Sequence, residues 1–411
     1  MSEALPPRQG PRPLPLHLLS ATATWLSSRA ALPLLRNGLL HLRPEIAEQA
    51  RVLQKSAAGV AYEALDAALD RELRARAGAF LAGIERYRHH PYRRAMREPP
   101  VLWQEGTTRL LDYGTPGEPG VLVVPSLINR AYILDLSPET SLLRALAREG
   151  LRPLLVDWGH PGTLERGFGL TDYVAGRLEA ALDIAEETCG ASPAVMGYCM
   201  GGLLAVALAA RRPRQVRALA VLATPWGFHA ERTAHARLLG TLAEPLTRAC
   251  LLLGEIPVDI LQALFMAIDP LVAVRKFARF ASLADSPAAR NFVAVEDWLN
   301  DGVPLALAVA RECLGGWYGD DAPAQGQWRI AGRPVLAGQV RQPVLVVTPA
   351  QDRIVPPAST EALAATLPAA ERLSVRLGHI GMIVGSTAPR EVWQPLARWL
   401  RHHLRPGLKT R

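Results

Sequence analysis

Val195-Met-Gly-Tyr-Cys-Met-Gly-Gly202 decides how this chain is read. It has the form G-x-C-x-G, with the apolar run Ala194-Val-Met196 leading in and an alanine-rich stretch, about Gly202–Ala210, leading out. That pattern predicts a short buried strand, a minimal turn and a helix. In such a turn the central side chain is held at unfavourable backbone angles, and Gly197 and Gly201 are small because strand and helix crowd there. The turn lifts the Cys199 thiol clear of the sheet. It also aims the next N–H, that of Met200, at the oxygen of a tetrahedral intermediate. Alone, the same pattern fits a glycine-rich strand–helix turn around a buried cysteine.

The flanking sequence favours the reactive reading. A nucleophile elbow calls for an acid and then a histidine, each after a later strand. Asp352 lies in Thr348-Pro-Ala-Gln-Asp-Arg-Ile-Val-Pro356, just past the apolar run Val344–Val347. His379 lies in Leu377-Gly-His-Ile-Gly381, just past an expected strand over 373–377, and is the one among ten histidines so placed. Taken singly, Asp352 also fits a turn or N-cap aspartate and His379 a core histidine. Together with Cys199 they form an ordered set. A free thiol is mostly protonated near neutral pH, with a reference pKa of about 8.5. His379 would take the Cys199 proton or stabilise its thiolate, and Asp352 would orient the imidazole. A second oxyanion donor is expected from the loop after Val121–Val124, near Leu127 and Ile128, with the Ile128 N–H as the candidate.

Strand and helix patterns alternate around the elbow. Expected strands are Thr107–Tyr113, Val121–Val124, Leu154–Val156 and Ala218–Ala223, with helices over 141–149 and 172–188. The alternation argues for a mostly parallel sheet covered on both faces, an α/β fold. It stops between Thr224 and Gln342, then resumes with a helix over 359–367 and a last helix over 391–402. An insertion returning to the same sheet reads as a helical lid, about 225–341, over the sheet's carboxyl edge, where ligands of such sheets bind. Residues 1–100 read as a helical N-terminal extension, of which 1–13 are expected to be disordered, and 101–411 as the catalytic domain. The extension fits a helical cap or an amphipathic arm for a partner, a twin subunit or an apolar surface.

Composition excludes several classes. The chain has 411 residues, is 49% hydrophobic, and balances 46 Lys+Arg against 38 Asp+Glu for a net charge of +8. It holds too much apolar surface for a disordered chain, and no apolar run reaches the roughly 18 residues of a membrane span. Nearly all the basicity is arginine, scattered without interleaved aromatics, which argues against nucleic acid as a partner. A polyanionic small molecule such as a CoA ester or nucleotide is compatible with it. The four cysteines, Cys189, Cys199, Cys250 and Cys313, show neither metal-ligand spacing nor a disulfide framework. A reducing, cytoplasmic location is expected.

Longer motifs carry a resemblance. Val123-Val-Pro-Ser-Leu-Ile-Asn-Arg-Ala-Tyr-Ile-Leu-Asp-Leu-Ser-Pro138 with the Gly197–Gly202 elbow resembles the polyhydroxyalkanoate synthases. So do Val156-Asp-Trp-Gly159, Thr171-Asp-Tyr173, the segment around Asp352 and Gly378-His-Ile-Gly381. The similarity runs from about Pro100 to Leu400. It implies an α/β-hydrolase core with a lid, a Cys-His-Asp site at Cys199, His379 and Asp352, and polymerisation of (R)-3-hydroxyacyl groups. CoA would be the leaving group, with neither cofactor nor metal. The implied partners are (R)-3-hydroxyacyl-CoA and a growing polyester chain with its granule surface. A homodimer is a further expectation, and the Asp-Trp-Gly motif is more like the short synthases that work with a second subunit. The N-terminal extension is longer than theirs and the lid matches poorly.

Cysteine attack on a CoA thioester gives another thioester, so the acyl group stays activated for transfer to a hydroxyl. Transfer then depends on a lid that excludes water, for which Trp158, Trp226, Trp298 and Trp317 are candidate lining residues or ordinary core. Asp135 and Asn129 are candidates for site contacts or for local turn bonding. Two other functions fit the scaffold: a cysteine thioesterase or depolymerase, and a granule-associated scaffold protein without turnover.

Overall fold

The computed structural model describes residues 7–368 and 370–405. Its centre is an eight-stranded sheet. The first six strands are β1 (Val101–Glu105), β2 (Thr108–Asp112), β3 (Gly120–Val124), β4 (Arg152–Asp157), β5 (Ala194–Tyr198) and β6 (Ala218–Leu222). They lie in the order β1-β2-β4-β3-β5-β6, followed by Val344–Pro349 and then Ala370–Val375. β1 and β2 form an antiparallel hairpin, β2 runs antiparallel to β4, and every pairing from β4 onward is parallel.

The central strands read as unbroken apolar runs because both their faces are covered. Every residue of β3, β5 and β6 is buried. Leu122, Leu154, Val156, Val195 and Leu219 join one core cluster with Leu182 and Leu203–Ala209. Leu182 belongs to the helix Glu179–Cys189, and Leu203–Ala209 to the helix Met200–Arg211. The opposite face carries Leu142–Arg148 against β4 and the last helix, Gln394–Leu404, against β6. On the antiparallel side, buried Arg152 at the start of β4 grips Asp112 at the end of β2, Nη2 to Oδ2 at 2.6 Å.

Two expected elements are displaced. The last strand is Ala370–Val375 rather than 373–377, an edge strand whose exposed Glu371 and Arg372 conceal its start. The last helix begins at Gln394 because a widened turn, Pro389–Trp393, precedes it. Residues 225–341 are mostly helical, with two short antiparallel pairs, Glu255–Ile256 with Leu305–Ala306 and Arg329–Ile330 with Arg333–Pro334.

The chain divides into two compact units: one takes in the chain through Arg93 plus Gln262–Asn300, the other Arg94–Leu261 plus Asp301–Arg411. The first contains the helices Leu14–Arg36, Pro44–Ala57 and Tyr62–His89. Phe80, Ile84 and Tyr87 pack on Phe277, Phe280 and Val293 as its core. Of the stretch expected to be disordered, residues 1–6 lie outside the described residues, and the expectation fails for 7–13. The Arg8 side chain is 7% exposed, and its guanidinium donates to Asp297 Oδ1 and Oδ2 at 2.6 Å each and to the carbonyls of His90 and Tyr92. A fully used guanidinium fork orders a segment that composition marks as loose. Among the described residues, no helix is long and apolar enough to cross a membrane.

The sharpest packing constraint lies at the elbow. A Cβ on Gly201 would sit on the carbonyl oxygens of Val124 and Pro125, and one on Gly197 would meet the backbone of Gly201 and Gly202. Gly201→Ala is therefore expected to destabilise the fold by about 1–3 kcal/mol, the usual range for overpacking a rigid interior. Urea unfolding followed by circular dichroism measures it. An unchanged midpoint would show that strand, helix and loop are not in the contact described.

Candidate active site

Cys199 connects β5 to the helix Met200–Arg211, with φ 57° and ψ −128°. A non-glycine residue at these angles is strained by about 1–3 kcal/mol and persists only where its surroundings enforce it. They do so here. The Cys199 N–H donates to Leu222 O at 2.9 Å, tying the turn to β6, and the Cys199 carbonyl accepts from Gly202 N at 2.9 Å. Met200 opens the helix, where first-turn N–H groups have no acceptor within the helix itself.

Asp352 and His379 follow neighbouring strands at the same sheet edge. Asp352 Oδ1 accepts from Ile354 N at 2.8 Å and Val355 N at 2.9 Å. That leaves Oδ2 for His379 Nδ1, 2.7 Å away. With Nδ1 carrying its proton toward the carboxylate, the other ring nitrogen is turned to Cys199, and the two side chains are hydrogen-bonded. The structure thus brings Cys199, His379 and Asp352 together in the order thiol, imidazole, carboxylate. Burial alone would lower the His379 pKa. The negative charge on Cys199, the hydrogen bonds to Asp352 and Cys199, and the Asp352 charge outweigh burial and raise it to about 10. The buried Cys313 and half-buried Cys189 have thiol pKa values raised by desolvation, which keeps them protonated.

The loop expected to supply the second oxyanion donor follows β3. Trp158 Nε1 donates to Pro125 O at 3.1 Å and fixes its start. Ile128 N, the expected donor, already donates to Ser126 Oγ at 3.0 Å, so it must share or release that bond to meet a substrate oxygen. The neighbouring Leu127 is buried.

The tryptophans separate. Trp226 and Trp317 belong to one aromatic cluster, each packing edge-on to Trp328 at 6.3 and 5.3 Å, with Phe228 stacked on Trp317 and Tyr318 against Phe228. Tyr318 interacts electrostatically with Cys199, which, after burial, is the next cause raising its phenol pKa. Trp328, Phe228 and Tyr318 went unnoticed in the sequence because nothing in their spacing marks a shared surface. Trp158 packs instead on Tyr173 at 5.5 Å, and Trp298 belongs to the other unit. Asp135 is fully buried and held bidentately by Arg144 at 2.8 and 3.1 Å, so its local role prevails. Asn129 takes φ 68°, the left-handed conformation of a turn residue. Tyr198, beside Cys199, is a further missed residue: its hydroxyl donates to His379 O at 3.1 Å.

Known proteins share this framework. Residues 119–386 match a family model described as the alpha/beta hydrolase fold. The chain is 30% identical over 321 residues to the poly(3-hydroxyalkanoate) polymerase subunit PhaC of Haloferax mediterranei, covering 75% of this chain and 64% of that one. It is 31% identical over 290 residues to the protein of the same name from Synechocystis sp., covering 68% and 77%. For the one from Allochromatium vinosum the identity is 28% over 287 residues, covering 68% and 80%. The match therefore spans under two thirds of the Haloferax protein's length.

Because the His379 pKa is raised by its negative neighbours, removing either neighbour lowers it. In NMR spectra of histidine-labelled protein, the His379 ring should stay protonated through neutral pH and titrate near 10. In Cys199→Ala and in Asp352→Asn the midpoint should fall by about one unit or more. A wild-type midpoint near the ordinary 6.5 would contradict the arrangement.

Proposed function

The chain belongs to the polyhydroxyalkanoate synthase family of the α/β-hydrolase superfamily, and on that premise we propose that it transfers (R)-3-hydroxyacyl groups from CoA to a growing polyester. The observation that carries the reading is the hydrogen-bonded Cys199–His379–Asp352 set at the elbow, Nδ1 to Oδ2 at 2.7 Å, in a chain of this family.

In the first half-reaction the Cys199 sulfur, its proton on His379, attacks the thioester carbonyl. The carbonyl oxygen gains charge, with the Met200 N–H as one donor and the Leu127–Ile128 loop as the source of a second. The tetrahedral intermediate collapses, the C–S bond to CoA breaks, and CoA leaves as thiol with the proton from His379. The product is an acyl-cysteine and a neutral imidazole. In the second half-reaction His379 takes the proton of an attacking 3-hydroxyl, whose oxygen forms the new ester as the bond to Cys199 sulfur breaks. Thiolate and imidazolium are then restored. Asp352, with both oxygens engaged, holds the imidazole in one tautomer throughout.

The first exchange is thioester for thioester and near energy-neutral, so the acyl group keeps the activation that ester formation consumes. Water at the acyl-cysteine would give a free hydroxy acid. The aromatic group of Trp226, Phe228, Trp317, Tyr318 and Trp328 supplies apolar surface suited to excluding it. The relatives' printed name, polymerase subunit, supports a second synthase subunit as partner. The insoluble product supports a place at polyester granules in the cytoplasm.

Purified protein given 3-hydroxybutyryl-CoA should release CoA and form insoluble polyester. Release of free hydroxy acid instead would make it a thioesterase, and no CoA release, with or without a second subunit, would make it a non-catalytic scaffold. Cys199→Ala should keep the fold and lose the acyl adduct seen by intact mass.

Rapid-quench labelling with radioactive hydroxyacyl-CoA separates the other two roles. His379→Ala should slow acylation by about 10²–10⁴-fold, the usual contribution of a general base. Asp352→Asn should still acylate in part, because thiol and imidazole can meet, and should accumulate acyl-enzyme as repeated transfer fails. Wild-type acylation in both variants would show that Cys199 works with other residues.

A further inference from the structure

We propose that Tyr198 is a positioning residue for His379: its hydroxyl fastens the histidine loop to the elbow strand, and its ring backs the imidazole. Tyr198 is the last residue of β5, its backbone paired with Leu222, and it directly precedes Cys199. The side chain is 3% exposed. Its hydroxyl donates to the backbone oxygen of His379 at 3.1 Å. Its ring centroid lies 5.2 Å from that of His379, with the planes tilted by 31°.

This contact supplies something the carboxylate cannot. Asp352 grips Nδ1 and so sets the rotation of the ring. It does not set where the histidine backbone stands relative to the thiol, since Asp352 and His379 both lie on loops that follow later strands. Tyr198 links the His379 backbone to the same strand that presents Cys199. The distance between sulfur and imidazole is then spanned by one residue and one hydrogen bond. Misplacement of a reacting group by about 1 Å can cost on the order of 10²-fold in rate.

The ring has a second effect. Titratable groups facing the imidazole are Cys199 on the elbow, Asp352 on the neighbouring loop and the Tyr198 phenol itself. Burial, with the negative Cys199 and Asp352 beyond it, holds that phenol protonated, so it remains a donor through the catalytic cycle. The aromatic ring, 5.2 Å away and tilted by 31°, favours the positively charged imidazole over the neutral one. Hydroxyl and ring therefore predict different phenotypes.

The test compares Tyr198→Phe, which keeps the ring, with Tyr198→Leu, which removes both functions. Three readouts are taken on folded protein: the His379 NMR titration, the pH dependence of Cys199 alkylation by iodoacetamide, and single-turnover acylation with KM. Only the last rests on the acyltransferase reading, so failure of that reading leaves the other two decisive. Tyr198→Phe should lower alkylation and acylation about 5–10-fold, less than the full cost of misplacement, with KM within about twofold and the His379 midpoint unmoved. Tyr198→Leu should slow both further and lower the midpoint by about half a unit, the size of an aromatic–cation contact. If both variants react at wild-type rates with the midpoint unmoved, or if they lose only thermal stability, Tyr198 is a packing residue and the proposal fails.

Discussion

Everything at this site depends on holding one residue where it does not want to be. At φ 57° and ψ −128° Cys199 occupies backbone space that favours glycine, and a cysteine there is a standing local cost. The surrounding elements exist in the arrangement that offsets it. The turn is sewn to β6 through Leu222, and the helix runs so close to β3 that Gly201 lies against the Val124 and Pro125 carbonyls. The full burial of β3, β5 and β6 supplies the apolar energy that keeps the turn from relaxing.

Two buried aspartates near this edge are used in opposite ways. Asp135 meets a full positive charge, the Arg144 guanidinium, and with it locks the loop that follows β3. Asp352 meets two backbone N–H groups and a histidine, partners that leave the site able to change its charge. A guanidinium beside Asp352 would have fixed the carboxylate and left the imidazole unsupported. The Asp352–His379 pair can exchange a proton, whereas the permanently charged Asp112–Arg152 pair lies at the end of β2 and the start of β4.

The parts legible in the sequence were those with a local cause. The elbow could be read because tight turns leave glycines at fixed offsets, and the parallel strands because two-sided burial leaves unbroken apolar runs. Asp352 and His379 could be read because the sheet places the ends of later strands at one edge. What escaped has causes distant in the chain. β1, Val-Leu-Trp-Gln-Glu, is partly exposed and is a strand only through its hairpin with β2. The edge strand Ala370–Val375 hides its start behind Glu371 and Arg372. Arg8 stood in a proline-rich stretch, and its order comes from distant partners, Asp297, 289 residues away, with the His90 and Tyr92 carbonyls. The engagement of Ile128 N by Ser126, the gathering of Trp328, Phe228 and Tyr318, and the reach of Tyr198 to His379 depend on side-chain directions that no spacing encodes.

The strand order has a consequence for how the chain comes off the ribosome. β6 pairs on one side with β5, close in sequence, and on the other with Val344–Pro349, whose Val344 stands opposite Leu219 across 125 residues. Loops of that length close slowly. During synthesis the elbow can therefore form while the edge of β6 is still bare and the segments bearing Asp352 and His379 have yet to be made. A thiol exposed then has neither base nor orienting carboxylate, and is no more reactive than any other cysteine. The three side chains are brought together only with the final strands, after the intervening helices have been translated.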